Sequence, residues 1–304
     1  MEQVQRSQVS RWLWMHCLSP LHIGSGEGLG NIDMPIQREK VTEWPFIPGS
    51  SLKGAQRGYY RSAQWLDAAF GQQGEVEGNA GALVFTDGRL LAFPVASRFG
   101  IFAYVTCPLV LKRFQRDAVA SGLPMTLPDM TRFEQEATVQ PQLAWVSDTG
   151  LLHPNVGRDA DNLFLDEFTG NGIRAQSLAD WAQMMGQQLF EDKPSQELWQ
   201  KRVVLVSDET FQYFAAMCCE VVPRIRMNED TKTVQHGALW YEEYVPTEAV
   251  FYALIWCDRV GGSSSTIGRD QFLDQLERET VLHMGGNITL GKGRIRCRIT
   301  GGRS

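Results

Sequence analysis

Along these 304 residues the spacing of apolar positions switches between strand-like and helix-like several times. Residues 11–18 (RWLWMHCL) are mostly apolar with partial alternation and predict a first strand, ended by Ser19-Pro20. Pro48-Gly49 punctuates the chain, and a helix is predicted over 50–66 with Ser50 or Ser51 as its cap. Leu52, Ala55, Tyr59, Ala63 and Leu66 fall on one stripe of that helix, and Lys53, Arg57 and Arg61 at i, i+4, i+8 fall on the other. The run AGALVFTDGRLLAFPV at 80–95 predicts buried strands with Asp87-Gly88 as a hairpin-type turn. A helix is expected within 178–190, and strands at 203–206 and 220–223. Residues 224–246 read as a long β-hairpin with a charged tip around 228–231. A buried strand at 249–257 follows, then an amphipathic helix over 269–282 carrying Phe272, Leu273, Leu276 and Val281.

Between strands and helices the chain has two glycine-rich loops and a short GGSSST linker at 261–266. The first loop, PLHIGSGEGLGNIDMPI at 20–36, has glycine at 24, 26, 28 and 30. The second contains Gly285, Gly286, Gly291 and Gly293, and such loops let backbone amides approach an anion closely. After it, Arg294, Arg296 and Arg298 share one face of a predicted final strand, with Ile295, Cys297 and Ile299 on the other.

Strands, a helix and more strands joined by long connections indicate an α+β fold, best matched by a single β-α-β-β-α-β, ferredoxin-like unit over 1–304 with excursions. The excursion at 108–202 is expected to be a largely helical insertion. Composition is that of an ordinary globular protein, and no run of about 18 apolar residues exists, so a cytoplasmic location is expected. Six cysteines without a C-x-x-C pair indicate free thiols, with no zinc ribbon or redox motif.

The net charge of −6 argues at first against a nucleic-acid partner, but the charge is unevenly distributed. Residues 114–200 hold 5 Lys/Arg and 13 Asp/Glu, whereas the last thirteen residues carry Lys292, Arg294, Arg296, Arg298 and Arg303 and no acid. A helix N-terminus followed by Lys53 and Arg57 is a natural anion site, although a capped helix with a solvated basic face fits the same residues. The arginine face of the last strand likewise suits either RNA or solvent.

Four blocks, in order, resemble the RAMP superfamily of CRISPR proteins. They are PLHIGSGEGLGNIDMPIQRE at 20–39, FIPGSSLKGAQR at 46–57, TKTVQHGALWYEE at 231–243 and GGNITLGKGRIR at 285–296. Among its members the match is closest to the repeated backbone subunit of the type III-B (Cmr) effector complex. The resemblance implies an RRM-like palm, a finger-like insertion and a β-hairpin thumb at 224–246. It implies copies stacked head to tail along a guide RNA, beside other subunits of the complex and without a membrane. Each thumb would displace a nucleotide of the complementary target RNA, freeing the 2′-hydroxyl for in-line attack on its own phosphate. Asp33, flanked by Ile32 and Met34, would act as base or hold a divalent ion, Mg2+ or Mn2+. His22, Glu242 and Tyr244 are the further catalytic candidates, and Ser51, Lys53, Arg57, Lys292 and Arg294 the guide-binding ones. At the hairpin tip, Met227, Thr231 and Val234 would wedge against bases.

Two other readings stay open on the residues alone. One is a structural RNA-binding filament subunit without nuclease activity. The other is a metal-independent guide-processing endoribonuclease using His22. No dinucleotide-binding fingerprint precedes a helix, which leaves a small-molecule enzyme remote.

Overall fold

The computed structural model describes residues 10–26, 28, 30–72, 81–154, 161–228, 230–258 and 269–301. The linker at 261–266, Glu229 of the hairpin tip and Arg303 are outside the described residues.

The chain opens with β1 (Ser10–Cys17), β2 (Phe46–Ile47), α1 (Gly49–Tyr59) and α2 (Leu66–Phe70). Next come β3 (Leu83–Phe85), β4 (Gly88–Ser97), β5 (Ile101–Thr106), α3 (Pro108–Ala120) and α4 (Met130–Val139). The middle holds β6 (Leu143–Val146), β7 (Leu152–His153), β8 (Asp161–Leu165), β9 (Phe168–Arg174), α5 (Gln176–Leu189) and α6 (Lys193–Gln200). After it follow β10 (Val203–Leu205), α7 (Asp208–Met217), β11 (Glu220–Met227) and β12 (Val234–Tyr244). The end is built from β13 (Val250–Cys257), α8 (Arg269–Asp274), β14 (Glu279–His283) and β15 (Arg294–Thr300).

β1 is buried on both faces, and both its edges are paired: with β13 on one side and β15 on the other, both antiparallel. Trp12 and Trp14 point the same way and stack at 5.1 Å, meeting Phe114 of α3 and Tyr252 of β13. β4 lies beyond β13, so the four main strands stand in the order β15-β1-β13-β4, with α1 and α8 in the two crossovers. Fourth, first, third, second is the strand order of a β-α-β-β-α-β unit.

The expected turn at Asp87-Gly88 does not make a hairpin. β3 and β4 both run antiparallel to β13, one after the other along the same edge. Thr86 keeps that edge continuous: its N–H donates to the Leu254 carbonyl at 3.0 Å, and its hydroxyl accepts from the Leu254 N–H at 2.9 Å. Asp87 is thereby free to turn toward α1. Its Oδ1 accepts the Gly49 N–H at 2.8 Å, so the helix N-terminus takes its carboxylate from a distant strand junction. Ser50 and Ser51 sit inside the first turn and do not cap it. Glycine is required at 49 because a Cβ there would come within 2.7 Å of the Phe85 carbonyl oxygen. The helix is also shorter than expected, ending at Tyr59 before a turn into α2.

The 108–202 segment is richer in helix than in strand, and it is also tied into the sheet. It contains four helices, but β6, β7, β8 and β9 join the main sheet through β10 and β5, so it is a mixed layer continuous with the fold. β4 closes this half by pairing with β5 and bridging to β8 at Ser97–Leu165. The helix expected over 269–282 stops at Asp274. Residues 279–283 form a strand with Thr280 and Leu282 inward and Val281 outward, because the edge of β15 offers backbone partners there. No helix among the described residues is long and apolar enough to cross a membrane.

β11 and β12 form a separate two-stranded ribbon from Glu220 to Tyr244, four residues longer at its start than expected. Directly opposed residues share a face. One face carries Val221, Pro223, Ile225, Leu239 and Tyr241, all exposed. The other carries Val222, Arg224, Trp240, Glu242 and Tyr244 and turns inward at the base.

Candidate functional site

Three of the four sequence blocks meet at the base of the hairpin. The 20–36 loop doubles back on itself: Gly24 bridges Ile36, the Ser25 N–H donates to the Pro35 carbonyl at 3.0 Å and the Gly28 N–H to the Asp33 carbonyl at 2.8 Å. It then runs beside β12. Leu21 pairs with Val245 and Met34 with Glu242, fixing the loop to the ribbon by backbone alone. The residues after it add side-chain anchors. Glu243, 5% exposed, accepts the Ile36 N–H at 3.0 Å and an Arg38 guanidinium N–H at 2.5 Å. Arg38 also donates to the carbonyls of Glu43 and Ala215. Burial would lower the Arg38 pKa, but the bond and charge of Glu243 hold it above its ordinary value.

Asp33 sits at the outer end of this arrangement and is exposed. Its Oδ2 accepts the Tyr241 N–H at 2.7 Å. No bond to Oδ1 exists among the described residues, so one carboxylate oxygen is held and the other faces outward. The expected anchors differ from those observed: Met34 is 40% exposed, and the grip on Asp33 comes from the hairpin backbone.

His22 is buried, not a free loop histidine. Its Nδ1 lies 2.7 Å from the Glu243 carbonyl, which can only accept, so Nδ1 carries the proton. The ring contacts Tyr244 at 5.4 Å between centroids. The second glycine loop closes over it, with the Gly286 N–H donating to the His22 carbonyl at 2.8 Å. Gly285 has φ +82°, and a Cβ there would stand 2.2 Å from the same carbonyl oxygen. This loop's glycines therefore serve close internal packing at least at 285.

Glu242 is 4% exposed and surrounded by donors. Arg224 Nε donates at 3.0 Å, Trp240 Nε1 at 2.9 Å, Asn287 Nδ2 at 3.0 Å, and the Tyr244 hydroxyl also donates to it. Burial pushes its carboxyl up, but the bonds from Tyr244, Trp240 and Arg224 outweigh that and hold it below its ordinary value. Tyr244 is raised instead, by burial first and then by its bond to Glu242. Asn287, at φ +60°, also donates to the Tyr244 hydroxyl at 2.8 Å. Lys292 Nζ stands 4.9 Å from the Tyr244 ring centroid. Asn287, Arg224 and Trp240 were not singled out from sequence. An asparagine inside a glycine loop, where the left-handed backbone is easily adopted, is the one local signal that pointed to this position.

The other cationic candidates divide into free and engaged groups. Lys53 is half-buried with no bond or ion pair among the described residues, and burial lowers its pKa. Ser51 is half-buried beside it. Arg57 is engaged: it donates to the Gly71 carbonyl at 2.7 Å and pairs with Asp67 at 2.9 Å. Arg294 is exposed and has no acidic partner among the described residues. The expectation that no acid compensates the last strand fails for its neighbours. Arg296 pairs with Asp192 at 3.0 Å, and Arg298 lies 3.5 Å from Glu279 and 4.0 Å from Glu191. Glu191 and Asp192 arrive from the α5–α6 junction, far away in sequence, and Glu279 from the neighbouring strand β14.

Among the described residues no group of three His, Cys, Asp or Glu side chains is placed to hold a metal ion. Asp33 is exposed and has one carboxylate oxygen without a bond among the described residues. That suits an ion such as Mg2+, which keeps several waters and binds through one or two carboxylates plus substrate phosphates.

Residues 14–296 match the profile of the RAMP superfamily. The chain is 32% identical over 297 residues to the CRISPR system Cmr endoribonuclease Cmr4 of Pyrococcus furiosus, covering 94% of each. The crystal structure of oligomeric Cmr4 from Pyrococcus furiosus superposes with a TM-score of 0.70 at 24% identity, covering 97% of this chain and 99% of that one. A chain of the type III-B Cmr-beta complex bound to cognate target RNA superposes with a TM-score of 0.69 at 22% identity, covering 95% and 96%.

Proposed function

The chain belongs to the RAMP superfamily as a Cmr4 homologue, and on that premise we propose that it is the repeated, RNA-cleaving backbone subunit of a type III-B effector complex. Copies stack head to tail on a guide RNA, beside other subunits, and each cuts the complementary target RNA once per copy. The observation that carries this reading is Asp33: an exposed carboxylate whose one oxygen is pinned to the hairpin backbone while the other is free.

In helical RNA the 2′-hydroxyl is not in line with the leaving 5′-oxygen, and a nucleotide lifted from the stack can become so. The exposed apolar face of the hairpin, Val221, Pro223, Ile225, Leu239 and Tyr241, is suited to hold bases apart, as apolar wedges do in duplexes. Asp33 then stands beside that face, with Oδ1 available to accept the 2′-hydroxyl proton. A divalent ion held by Asp33 and water would supply neutralisation of charge developing on the phosphate. Glu242, held by four donors, fixes the hairpin base, and the Tyr244 hydroxyl is committed to it. His22 orients the Glu243 carbonyl from within the core. That burial disfavours guide processing by His22. Lys53 with Ser51, and Lys292 with Arg294, contribute the backbone contacts to guide RNA.

The experiment is a labelled complementary RNA offered to the complex assembled on its guide, with and without chelator. Wild type should give an evenly spaced ladder that chelation abolishes, and Asp33→Ala should bind both RNAs without cutting. A ladder from Asp33→Ala would overturn the catalytic assignment, and bound RNA without product from wild type would leave a structural subunit.

A further inference from the structure

The chain leaves the hairpin through a turn from Pro246 to Ala249, where the Ala249 N–H donates to the Pro246 carbonyl at 3.3 Å. Glu248 fills the third position of that turn with φ +76°. Glycine or asparagine is the ordinary occupant of such a position, since other side chains are strained there. A strained backbone persists only where the surroundings over-determine it.

Those surroundings are visible. The Glu248 N–H donates to the Cys17 carbonyl at 2.8 Å. Its Oε2 accepts from His16 Nε2 at 2.8 Å and from the Tyr104 hydroxyl. His16 is on β1 and 8% exposed; Tyr104 is on β5 and fully buried. One carboxylate therefore joins the exit of the hairpin to the central strand and to the start of the mixed layer. Around it, the His16 ring meets Phe190 edge-on at 5.2 Å, and Arg296 lies over the same phenyl ring at 6.0 Å while pairing with Asp192. Burial acts to raise the Glu248 carboxyl, but the bond and charge of His16, the Tyr104 hydroxyl and the charge of Arg296 together hold it below its ordinary value. Among the described residues no hydrogen bond connects Glu248, His16 or Tyr104 with Asp33 or with the Glu242 cluster.

We propose that Glu248 is a positioning residue: it occupies a backbone better suited to glycine so that its carboxylate can latch the hairpin exit to His16 and Tyr104, setting how the hairpin and the attached Asp33 are presented to RNA. The consequence for cutting rests on the reading of the hairpin given above; the latch itself does not.

Two substitutions separate latch from fold. Glu248→Gly frees the turn from strain while removing the carboxylate, and Glu248→Gln keeps an oxygen that accepts from Tyr104 and His16. In the isolated full chain, Glu248→Gly should melt within a few degrees of wild type. Its amides at 241–245 should nevertheless exchange hydrogen about tenfold faster, with those of β1 unchanged, as local opening permits. In the complex on guide RNA its single-turnover cutting should fall about tenfold or more, because small misplacements are costly to in-line geometry. Guide and target affinity should stay at wild-type values, and Glu248→Gln should restore both exchange and rate. Wild-type exchange and cutting in Glu248→Gly would overturn the proposal, as would losses in both variants that simply track melting temperature. If the wild-type complex cuts nothing, the nuclease reading fails while the exchange measurement still decides the latch.

Discussion

The outer loop around Asp33 and the inner base of the hairpin around Glu242 are neighbours, joined by the bridge from Met34 to Glu242, yet their carboxylates are treated in opposite ways. Glu242 is buried and takes four donors: a guanidinium, a phenol and an amide on Oε2, and an indole on Oε1. Asp33 is exposed and holds a single backbone N–H. A buried carboxylate held by four donors, with its pKa depressed, is poor at taking a proton from substrate, while an exposed one pinned at one oxygen can do so in a defined direction. The cations repeat the contrast. Arg57, Arg296 and Arg298 are spoken for by acids of the same chain, whereas Lys53 and Arg294 are not.

The strongest way to break this contrast is to neutralise each carboxylate in turn. Asp33→Asn should reduce single-turnover cutting about 10²–10⁴-fold, the usual contribution of a positioned general base, with no change in melting temperature. A residual rate above about one tenth of wild type would remove Asp33 from the chemistry. Glu242→Gln should do the reverse. It weakens several charge-assisted bonds and should cost about 2 kcal/mol in chemical denaturation, with lost cutting following from a loosened hairpin. A stable Glu242→Gln protein that fails to cut would promote Glu242 from support to chemistry.

Acid sharpens the same comparison. The Glu242 and Glu248 carboxyls are both depressed below their ordinary value of 4.5 in the folded chain. Their stabilisation is therefore fully present above that value and lost as pH falls through the lower folded values. Hairpin-base amides should begin to exchange faster only below about pH 4, followed by NMR or mass spectrometry. Loosening already at pH 6 would contradict the direction of both shifts.

Among the cations the effects are smaller. Lys53→Ala should weaken guide RNA binding several-fold and reduce the slope of log affinity against log salt by about 1. Arg298→Ala should leave that slope unchanged and alter stability by less than about 1 kcal/mol, since its acidic partners are partly exposed. Equal salt slopes for the two variants would erase the distinction between free and paired cations.

Much of the frame was legible along the chain because local pattern and tertiary role agree there. β1, β13, α5, the hairpin and the alternation of Ile295, Cys297 and Ile299 in β15 are cases of this. The failures have a common cause: the deciding partner was distant. Asp87-Gly88 carries a hairpin signal, but β13 holds that edge straight and Asp87 serves the N-terminus of α1. The helical spacing of Phe272, Leu273 and Leu276 extends naturally to Val281 until the edge of β15 claims 279–283 as a strand. At the site, Asp33, Glu242 and Tyr244 were found through motif resemblance, while their different roles depend on burial and on Arg224, Trp240 and Asn287. Charge counting failed at β15 for the same reason, since Asp192 and Glu279 reach the arginines only in three dimensions.

The placement of β1 also bears on how the protein is made. Residue 14 stands opposite residue 252 on one edge and residue 298 on the other, so β1 is translated long before the strands that pair with both its edges. At about 5–20 residues per second, a ribosome needs roughly 12–48 s to deliver even the first of these neighbours. Throughout that interval a strand built around Trp12, Leu13, Trp14 and Met15 has neither edge satisfied. Phe114 of α3, which packs on Trp12 and Trp14 in the folded chain, is made well before either edge partner and can cover these residues in the meantime.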